Sequence, residues 1–450
     1  MRADIKCFGV AIGLGLFFAT AQADPTTQEK PNVVLILADD LGYGDISCYG
    51  NKRNKTPNLD QLAENGVLLT QCYSSAPVCT PTRAALLTGV YQQRLGRHFD
   101  WVVGGMGHDS GLPYDTVTLP QMLKDNGYAT GMAGKWHIGG VESRAPNAFG
   151  FEMFKGLLGG NLDYWTYTDS QGRLDLWNNT EKFRNQQGYL TDLIGDWSID
   201  FIEHNQDDPF FLYVSFTAPH WPYQGKEPGL RNIERESYEK AGGSQEIYQS
   251  MVESMDENVG RIMNALDSRG LKKKTLVIFT SDNGGRLPFA NNASFREGKA
   301  TLYEGGIRVP GILRYPGRLP TGHVSDQPVI TMDLTTSILA ATGTPLSSDA
   351  LPMDGINILP ILTGDKPEQE RQLYWFATHP REGTPYWRAF RSGDFKLLQI
   401  NDDIFLYNLK KDPEEKRNLF PKFPEKGLEL KKQYSRWEST LPPRSMQKTE

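Results

Sequence analysis

Long apolar runs occur throughout the first two-thirds of the chain, and each one ends in a short polar segment. The runs Asn32–Ala38, 210–216 and 275–280 are almost entirely apolar, which is typical of strands buried on both faces of a parallel sheet. Shorter runs at 67–72 and 129–134 predict two further strands. The pattern therefore predicts a sheet that is built mainly of parallel strands.

Helices are predicted between these strands. The longest, 245–269, repeats apolar residues at helical spacing, so its methionines are expected to fill the core rather than to mark a cofactor site. A shorter helix has Pro81 in its first turn, where proline is favoured, and stops at Gly89. Start signals, stop signals and apolar spacing predict further helices at 56–63, Leu119–Asp125, 192–203 and 334–341, whereas 157–187 is predicted to be mostly loop.

The alternation of strands and helices predicts an α/β fold, with a large mixed, mainly parallel sheet sandwiched by helices. The pattern changes near residue 371, after which short strands are predicted at 387–390, Phe395–Ile400 and 404–407, with a helix at 428–437. We therefore expect a main domain over residues 24–370. Residues 371–450 are expected to form a smaller α+β subdomain with a short antiparallel sheet.

The first 23 residues have the features of a signal peptide. Arg2 and Lys6 precede an apolar run at 8–18, and the small residues at 21–23 suit cleavage before Asp24. The apolar run is shorter than the roughly 18 residues that a membrane span needs, and no other stretch approaches that length. We expect a secreted or periplasmic protein without a membrane span, and the scarcity of cysteine favours a bacterial source.

The net charge of −6 argues against a nucleic-acid partner, so an anionic substrate must be attracted by a local basic pocket. The four cysteines stand at positions 7, 48, 72 and 79. Cys7 lies in the predicted signal peptide. If Cys79 is used for chemistry, Cys48 and Cys72 remain, and the sequence leaves open whether they pair.

Acidic and amide side chains follow two of the buried runs. Asp39 and Asp40 come directly after the first run, and Asp282 and Asn283 follow the third. The carboxyl ends of parallel strands meet at one edge of a sheet, where ligands bind. Carboxylates gathered there repel one another unless a cation lies between them, and an all-oxygen set selects Ca²⁺ or Mg²⁺ over zinc. Helix capping is the alternative use of such residues.

A small nucleophile precedes one of the predicted helices. Cys79 stands where the helix N-terminus favours bound oxyanions, and Arg83 follows one turn later on the same side. A thiol beside an anion pocket and a guanidinium suits chemistry on a charged ester. The alternative is a buried, inert cysteine and a surface arginine.

The stretch Cys79-Thr80-Pro81-Thr82-Arg83, with Thr88-Gly89 after it, resembles the C-x-P-x-R signature of the type I sulfatases, which belong to the alkaline phosphatase superfamily. The resemblance implies that a formylglycine-generating maturation enzyme converts Cys79 to formylglycine (3-oxoalanine), whose hydrated form is the nucleophile. It also implies a calcium ion, whose ligands would be the modified Cys79 together with Asp39, Asp40, Asp282 and Asn283.

Further motifs extend the resemblance from about residue 32 to 310, and more loosely to F-L-Y-N-L-K-K-D-P-E-E near the end. Lys135 and His137 lie in G-K-W-H-I-G, His220 in A-P-H-W-P, and Lys299 in G-K-A-T-L-Y-E-G-G-I-R-V-P. If 135–137 is extended, Lys135 and His137 share one face. Sulfate-ester cleavage needs positive charge on the sulfate oxygens, which Arg83, Lys135 and Lys299 can supply. His220 can act as general acid, and the resemblance makes His137 the base that helps to regenerate the aldehyde.

Aromatic and polar loops offer candidate sugar-binding residues, although solvated surface is the alternative for each: His98, Asp100, Trp101, Asp163 and Trp165. A secreted bacterial sulfatase implies a sulfated polysaccharide: a marine galactan such as carrageenan, a glycosaminoglycan or a mucin glycan, of which the carrageenan-like galactan is slightly favoured. A phosphate mono- or diester hydrolase of the same superfamily is the first alternative, but those enzymes usually have His where this chain has Asn283. The second is an inactive carbohydrate-binding relative.

Overall fold

A ten-stranded sheet with β1 (Asn32–Ala38) near its middle is the largest element of the computed structural model, which describes residues 30–103, 105–231, 242–379, 381 and 383–442. β1 pairs in parallel with β8 (Phe210–Ser215) and with β9 (Thr275–Ser281). β4 (Ala129–Lys135) lies parallel to β8. All residues of β1, β8 and β9 are buried, as their continuous apolar runs predicted. The predicted signal peptide lies outside the described residues.

The other strands of this sheet complete a mixed, mainly parallel order, β12-β2-β11-β9-β1-β8-β4-β5-β6-β7. Their bounds are β2 (Val67–Leu69), β5 (Met153–Leu157), β6 (Trp177–Asn178), β7 (Glu181–Lys182), β11 (Gly311–Arg314) and β12 (His323–Ser325). β11 runs antiparallel to β9 and β2. The C-terminal end of β11 therefore lies away from the carboxyl end of β9.

The apolar run at 67–72 is divided between two sheets, which corrects the single strand expected there. After β2, the chain turns at 70–71 and enters β3 (Cys72–Tyr73). β3 pairs with β10 (Arg308–Val309) and β13 (Val329–Ile330) in a three-stranded sheet. In this turn, the backbone N–H of Thr70 donates to the carbonyl oxygen of Ser325, and the hydroxyl of Thr70 donates to Oδ1 of Asp326.

Helices cover both faces of the large sheet. Val33, Leu35 and Leu37 of β1 pack into one core cluster, and the intervening Val34 and Ile36 pack into another, as the two-residue period of a strand requires. The helices are α1 (Pro57–Glu64), α2 (Cys79–Thr88), α3 (Leu119–Asp125), α4 (Leu190–His204), α5 (Gln245–Ser268), α6 (Glu304–Ile307), α7 (Thr331–Thr342), α8 (Leu359–Leu362) and α9 (Pro424–Glu438).

The C-terminal part of the described chain forms a four-stranded antiparallel sheet that packs against α9. Its order is β14 (Gln372–Thr378), β15 (Tyr386–Ser392), β16 (Phe395–Ile400) and β17 (Asp403–Asn408). The α/β class and the small antiparallel sheet are therefore confirmed, but β14 was not predicted. Its apolar residues face two sides: Leu373 and Trp375 join the core, while Tyr374 stacks on Trp437 of α9. The boundary at residue 370 stays a prediction.

Two sequence expectations concern the cysteines and the membrane. Cys48, Cys72 and Cys79 are all free thiols in the structure, and Cys72 is fully buried. Among the described residues, we find no helix with the length and apolar character needed to cross a bilayer.

Candidate active site

The parallel strands bring their carboxyl ends to one level. In β1, Leu37 pairs with Ser215 of β8 and Ala38 pairs with Ser281 of β9, while Gly134 of β4 also pairs with Ser215. The residues that follow these positions, including Asp39, Lys135 and Asp282, therefore meet at one edge of the sheet. The polar ends of separate apolar runs form one cluster, as expected for an open α/β sheet.

Helix α2 places Cys79 at this edge. Cys79 is the first helical residue, and Gly89 ends the helix with a positive φ of 72°, which a residue with a side chain rarely adopts. Every residue of α2 is buried, and the thiol has only 2% exposure. Burial raises the pKa of the Cys79 thiol, although Lys135 and Lys299 oppose the shift. Its Sγ lies 3.9 Å from Nζ of Lys299.

Arg83 connects three of the strand ends. Its Nε and Nη2 both donate to Oδ2 of Asp282, at 3.0 and 2.8 Å, so the two bonds converge on one carboxylate oxygen. Its Nη1 donates to the carbonyl oxygen of Lys135 at 2.9 Å and to Oγ of Ser215 at 2.6 Å. The guanidinium is fully buried, and all three of its nitrogens are engaged, so Arg83 holds the floor of the site rigidly.

Two lysines pair with the two aspartates that follow β1. Nζ of Lys135 lies 2.6 Å from Oδ2 of Asp39, and Nζ of Lys299 lies 2.6 Å from Oδ1 of Asp40. Lys135 is fully buried, whereas the side chain of Lys299 retains 15% exposure. Lys299 therefore reaches solvent at the mouth of the site, while Lys135 belongs to its floor.

Three buried oxygens of the cluster accept no hydrogen bond: Oδ1 of Asp39, Oδ2 of Asp40 and Oδ1 of Asn283. One oxygen from each of Asp39, Asp40 and Asp282 also lies within 4.8 Å of the other two. Buried carboxylates without donors are costly, and three acidic groups at this separation repel one another. The donor set is made entirely of oxygens and suits a hard divalent cation such as Ca²⁺.

The pKa values of the two aspartates after β1 are shifted in opposite directions. Burial and the nearby charge of Asp282 raise the pKa of Asp39 to about 8, against the effect of Lys135 and Arg83. Burial would also raise the pKa of Asp40, but Lys299 and His220 hold it well below its usual range. Repulsion between the crowded carboxylates thus falls mainly on Asp39, because the charge of Asp282 raises its pKa, whereas Lys299 and His220 both lower the pKa of Asp40.

His220 follows β8 and faces Asp40. The carbonyl oxygen of Trp221 lies 2.5 Å from Nδ1 of His220 and can only accept, so Nδ1 carries a hydrogen. Nε2, which lies 3.7 Å from Oδ2 of Asp40, is the atom that can take up and release a proton. Burial and the charge of Lys299 lower the pKa of His220, while Asp40 opposes them.

His137 differs from the extended conformation that would put it on the same face as Lys135. β4 ends at Lys135, and His137 has a positive φ of 56°. Its Nδ1 is buried without a hydrogen-bond partner, and its ring lies against Gly160. Burial, followed by the positive charges of Lys135 and Arg83, lowers the pKa of His137 well below the ordinary value, so the imidazole is neutral at pH 7.

The predicted sugar-binding residues have varied surroundings. Oδ1 of Asp163 accepts the backbone N–H groups of residues 165 and 166, so its carboxylate shapes a turn. His98 lies 3.0 Å from the carbonyl oxygen of Gly111, and Asp100 is buried. The ring of Trp101 meets His379 edge-on, and the ring of Trp165 lies under the guanidinium of Arg231. Their role in sugar binding stays a prediction.

Two residues that the sequence analysis did not single out support the site. Ser215 bonds to both Arg83 and the carbonyl oxygen of Lys135, and its position as a polar residue at the end of an apolar run could have identified it. The hydroxyl of Tyr164 donates to the carbonyl oxygens of Thr217 and His220 at 2.7 and 2.9 Å, which fixes the segment that carries His220. No pattern in the sequence indicates this second contact.

Comparison with known proteins links this geometry to one family. The family model described as "Sulfatase" matches residues 31–344, and that described as "N-sulphoglucosamine sulphohydrolase, C-terminal" matches residues 297–438. Human steryl-sulfatase is 30% identical over 90% of this chain and 87% of its own length. N-acetylgalactosamine-6-sulfatase of Canis lupus familiaris is 33% identical over 81% of this chain and 74% of its own length.

A solved structure supports the same relationship. The crystal structure of Ps i-CgsB in complex with k-i-k-neocarrahexaose is similar to this chain with a TM-score of 0.83 and 30% identity. The similarity covers 92% of this chain and 94% of that chain, so it includes both the large sheet and the C-terminal sheet.

Proposed function

The chain belongs to the sulfatase family, and we propose that it hydrolyses sulfate esters of a carrageenan-like galactan through a formylglycine formed from Cys79 and a bound calcium ion. As a member of that family it is a sulfuric ester hydrolase that acts on sulfated carbohydrates. The observation that carries the finer proposal is the position of Cys79. The buried thiol at the start of α2 lies beside Lys299, and its Sγ is within 4.8 Å of ligand atoms of Asp39 and His220.

The calcium would be held by Asp39, Asp40, Asp282, Asn283 and residue 79. The oxygens of Asp39, Asp40 and Asn283 that accept no hydrogen bond support this set, because a cation would satisfy all three. When bound, calcium supplies positive charge for the oxygens of a sulfate group. Formylglycine supplies a hydroxyl nucleophile, and making it requires a separate maturation enzyme that oxidises Cys79.

The basic residues of the site would bind the sulfate. Lys299 is the cation with solvent access at the mouth, so it can meet the substrate first. Lys135 and Arg83 lie on the floor, where the low dielectric strengthens their attraction for an oxyanion. Because Arg83 is also bonded to Asp282 and Ser215, it contributes a fixed charge that needs no rearrangement during the reaction.

The histidines would move the protons. Nδ1 of His220 is committed to the carbonyl oxygen of Trp221, so a second proton, present in the imidazolium form, would be carried by Nε2 and given to the leaving sugar oxygen. Asp40, at 3.7 Å from Nε2, favours the protonated form that this step requires. His137 is neutral and has a free Nδ1, which suits a base that helps to release sulfate from residue 79.

Two of the relatives support a carbohydrate substrate. Ps i-CgsB was solved with a neocarrageenan hexasaccharide, and one relative is named for an N-acetylgalactosamine sulfate. A carrageenan-like galactan is therefore the first substrate to test. With the predicted signal peptide at 1–23, we also propose that the enzyme is secreted or periplasmic in a bacterium.

The proposal is tested by measuring inorganic sulfate and phosphate released by protein coexpressed with a formylglycine-generating enzyme. The substrates are 4-nitrophenyl sulfate, 4-nitrophenyl phosphate and oligosaccharides of carrageenan, chondroitin sulfate and heparan sulfate. Sulfate release from carrageenan oligosaccharides is expected. Cys79→Ala is expected to abolish it, whereas Cys48→Ser, which changes a free thiol outside the site, is expected to keep it. Faster release of phosphate than of sulfate would contradict the proposal.

A further inference from the structure

The rim of the site beside His220 carries an arginine that the proposed reaction does not use. Arg286 follows the segment Asp282–Gly285, and the carbonyl oxygen of Gly285 accepts the backbone N–H of Lys299 at 3.1 Å. Its guanidinium carbon lies 5.6 Å from the ring centroid of Trp221. Trp221 in turn stacks on the imidazole of His220, with centroids 5.7 Å apart and planes at 24°. Arg286 is therefore one aromatic ring away from the proposed general acid.

The guanidinium of Arg286 has no carboxylate partner among the residues that the structure describes. In the described parts of the chain, this guanidinium contacts the ring of Trp221 and makes no ion pair. Its positive charge acts to lower the pKa of the Tyr223 hydroxyl, which burial raises. Several other arginines with restricted exposure are paired with acids, as in Arg83 with Asp282, Arg94 with Asp354, Arg371 with Asp333 and Arg388 with Glu438. The five N–H donors of a half-buried arginine without an acid remain available for an anion.

We propose that Arg286 and Trp221 form a second binding site, for a sulfate ester on the sugar next to the one that loses its sulfate. This inference rests on the proposed function. A guanidinium matches a sulfate through two parallel N–H donors, and an aromatic ring supports the guanidinium by a cation–π contact. Because the chain carries a net charge of −6, a polyanionic glycan is held only where positive charge is concentrated, and Arg286 extends the basic region of Lys299 outward.

The proposal predicts a preference for oligosaccharides that carry sulfate on neighbouring sugars. The wild-type protein, Arg286→Met and Arg286→Lys are compared in kcat and KM. The probes are 4-nitrophenyl sulfate and matched carrageenan, chondroitin and heparan oligosaccharides that carry one or two sulfate esters. Arg286→Met removes a pair of charge-assisted hydrogen bonds to the second sulfate. The ratio of kcat/KM for oligosaccharides with two sulfates to that for oligosaccharides with one is therefore expected to fall about tenfold or more, mainly through a higher KM for the former. Arg286→Lys is expected to restore part of it.

Arg318→Met is the matched control. Arg318 is exposed in the turn after β11, at the edge of the sheet opposite the site, so its loss removes the same charge without touching the rim. This variant is expected to keep the wild-type preference. Equal loss of kcat/KM for both kinds of substrate in Arg286→Met would indicate a structural role and overturn the inference. An unchanged preference would overturn it as well.

Two further outcomes separate this inference from the proposed function. Wild-type protein that cleaves 4-nitrophenyl sulfate but shows no preference for a second sulfate refutes the binding site and leaves the sulfatase proposal intact. Absence of sulfate release from every probe refutes the sulfatase proposal itself. A uronate on the neighbouring sugar offers a related anion, so an Arg286-dependent gain from uronate but not from sulfate would overturn the assignment to sulfate.

Discussion

The ammonium group of Lys299 lies 2.6 Å from Oδ1 of Asp40, while Oδ2 of the same carboxylate accepts no hydrogen bond. Asp39 repeats the arrangement, because its Oδ2 pairs with Lys135 at 2.6 Å and its Oδ1 has no donor. Each aspartate thus orients one of the lysines that we propose to bind sulfate with one oxygen, and its other oxygen accepts no hydrogen bond. In the proposed site, the metal centre and the anion pocket therefore share their carboxylates.

Calcium is expected to stabilise the folded protein. The crowded oxygens of Asp39, Asp40 and Asp282 lose their mutual repulsion when a cation binds, and a ligand at a hundred times its Kd adds about 2.7 kcal/mol to the free energy of unfolding. Thermal unfolding with EDTA and with increasing CaCl₂ measures the effect. Asp282→Asn is expected to weaken it, while Asp207→Asn, at an exposed aspartate, is expected to keep it. A Tm that does not respond to calcium would contradict the metal site.

Arg83→Lys is expected to lower the free energy of unfolding by about 2–4 kcal/mol although the charge is kept. An ammonium group cannot reproduce the two bonds to Oδ2 of Asp282 together with the bonds to Ser215 and the carbonyl oxygen of Lys135. Urea unfolding measures the loss, and Arg318→Lys, at an exposed turn, serves as the control with little change. Equal stability of Arg83→Lys and the wild type would show that the bonds of Arg83 do not support the fold.

Gly160→Ala is expected to reduce kcat about tenfold or more with little loss of stability. A Cβ at this position would lie 2.5 Å from Nε2 of His137, so the imidazole must move away from its place in the site. Steady-state kinetics and thermal unfolding separate the two effects. The control is Gly229→Ala, because a Cβ at Gly229 meets no atom within 4 Å. Wild-type kinetics in Gly160→Ala would mean that the position of His137 is unimportant.

The stability of the C-terminal sheet is expected to depend on pH through Glu415. Glu415 and Glu304 each lie 2.9 Å from Nζ of the fully buried Lys396. Burial raises the pKa of Glu415 from 4.5 to about 7, against the effect of Lys396. The folded state thus holds this proton more tightly than the unfolded chain. The stability that Glu415 contributes is therefore complete below pH 4.5 and is lost as the pH rises through about 7.

Glu415→Gln removes this dependence, because the amide does not titrate. Relative to the wild type, the variant is expected to gain on the order of 1–3 kcal/mol in unfolding free energy between pH 5 and pH 8. Urea unfolding at both pH values gives the comparison, and Glu368→Gln, at an exposed glutamate, is expected to show no such gain. The same difference between Glu415→Gln and the wild type at both pH values would rule out the raised pKa.

The sequence allowed the fold class and the strand ends of the site to be predicted, because both depend on local patterns. Asp39 and Asp282 follow continuous apolar runs, and the parallel register brings those ends together as expected. Lys299 lies in a loop without such a pattern, so only the family motif pointed to it. The strand β14 was missed because its two faces pack against different partners: Trp375 contacts the ring of Tyr73, and Tyr374 stacks on Trp437 of α9.

Contacts between distant segments account for what the sequence did not predict. Ser215 and Tyr164 act through bonds to residues that lie tens of positions away along the chain. The left-handed backbone at His137 was not expected, because the sequence analysis placed His137 on the same face as Lys135 by assuming an extended segment. The contact between Arg286 and Trp221 joins two loops that no motif connects. Such relationships follow from packing and require a structure.

The most direct measurement is the mass of the peptide that contains Cys79, compared with sulfate release by the same preparations. Protein made with and without a formylglycine-generating enzyme provides samples that range from thiol to aldehyde at residue 79. We predict that the rate of sulfate release rises in proportion to the fraction of aldehyde and is absent in the thiol form. Full activity in a preparation whose Cys79 remains an unmodified thiol would contradict the proposed mechanism.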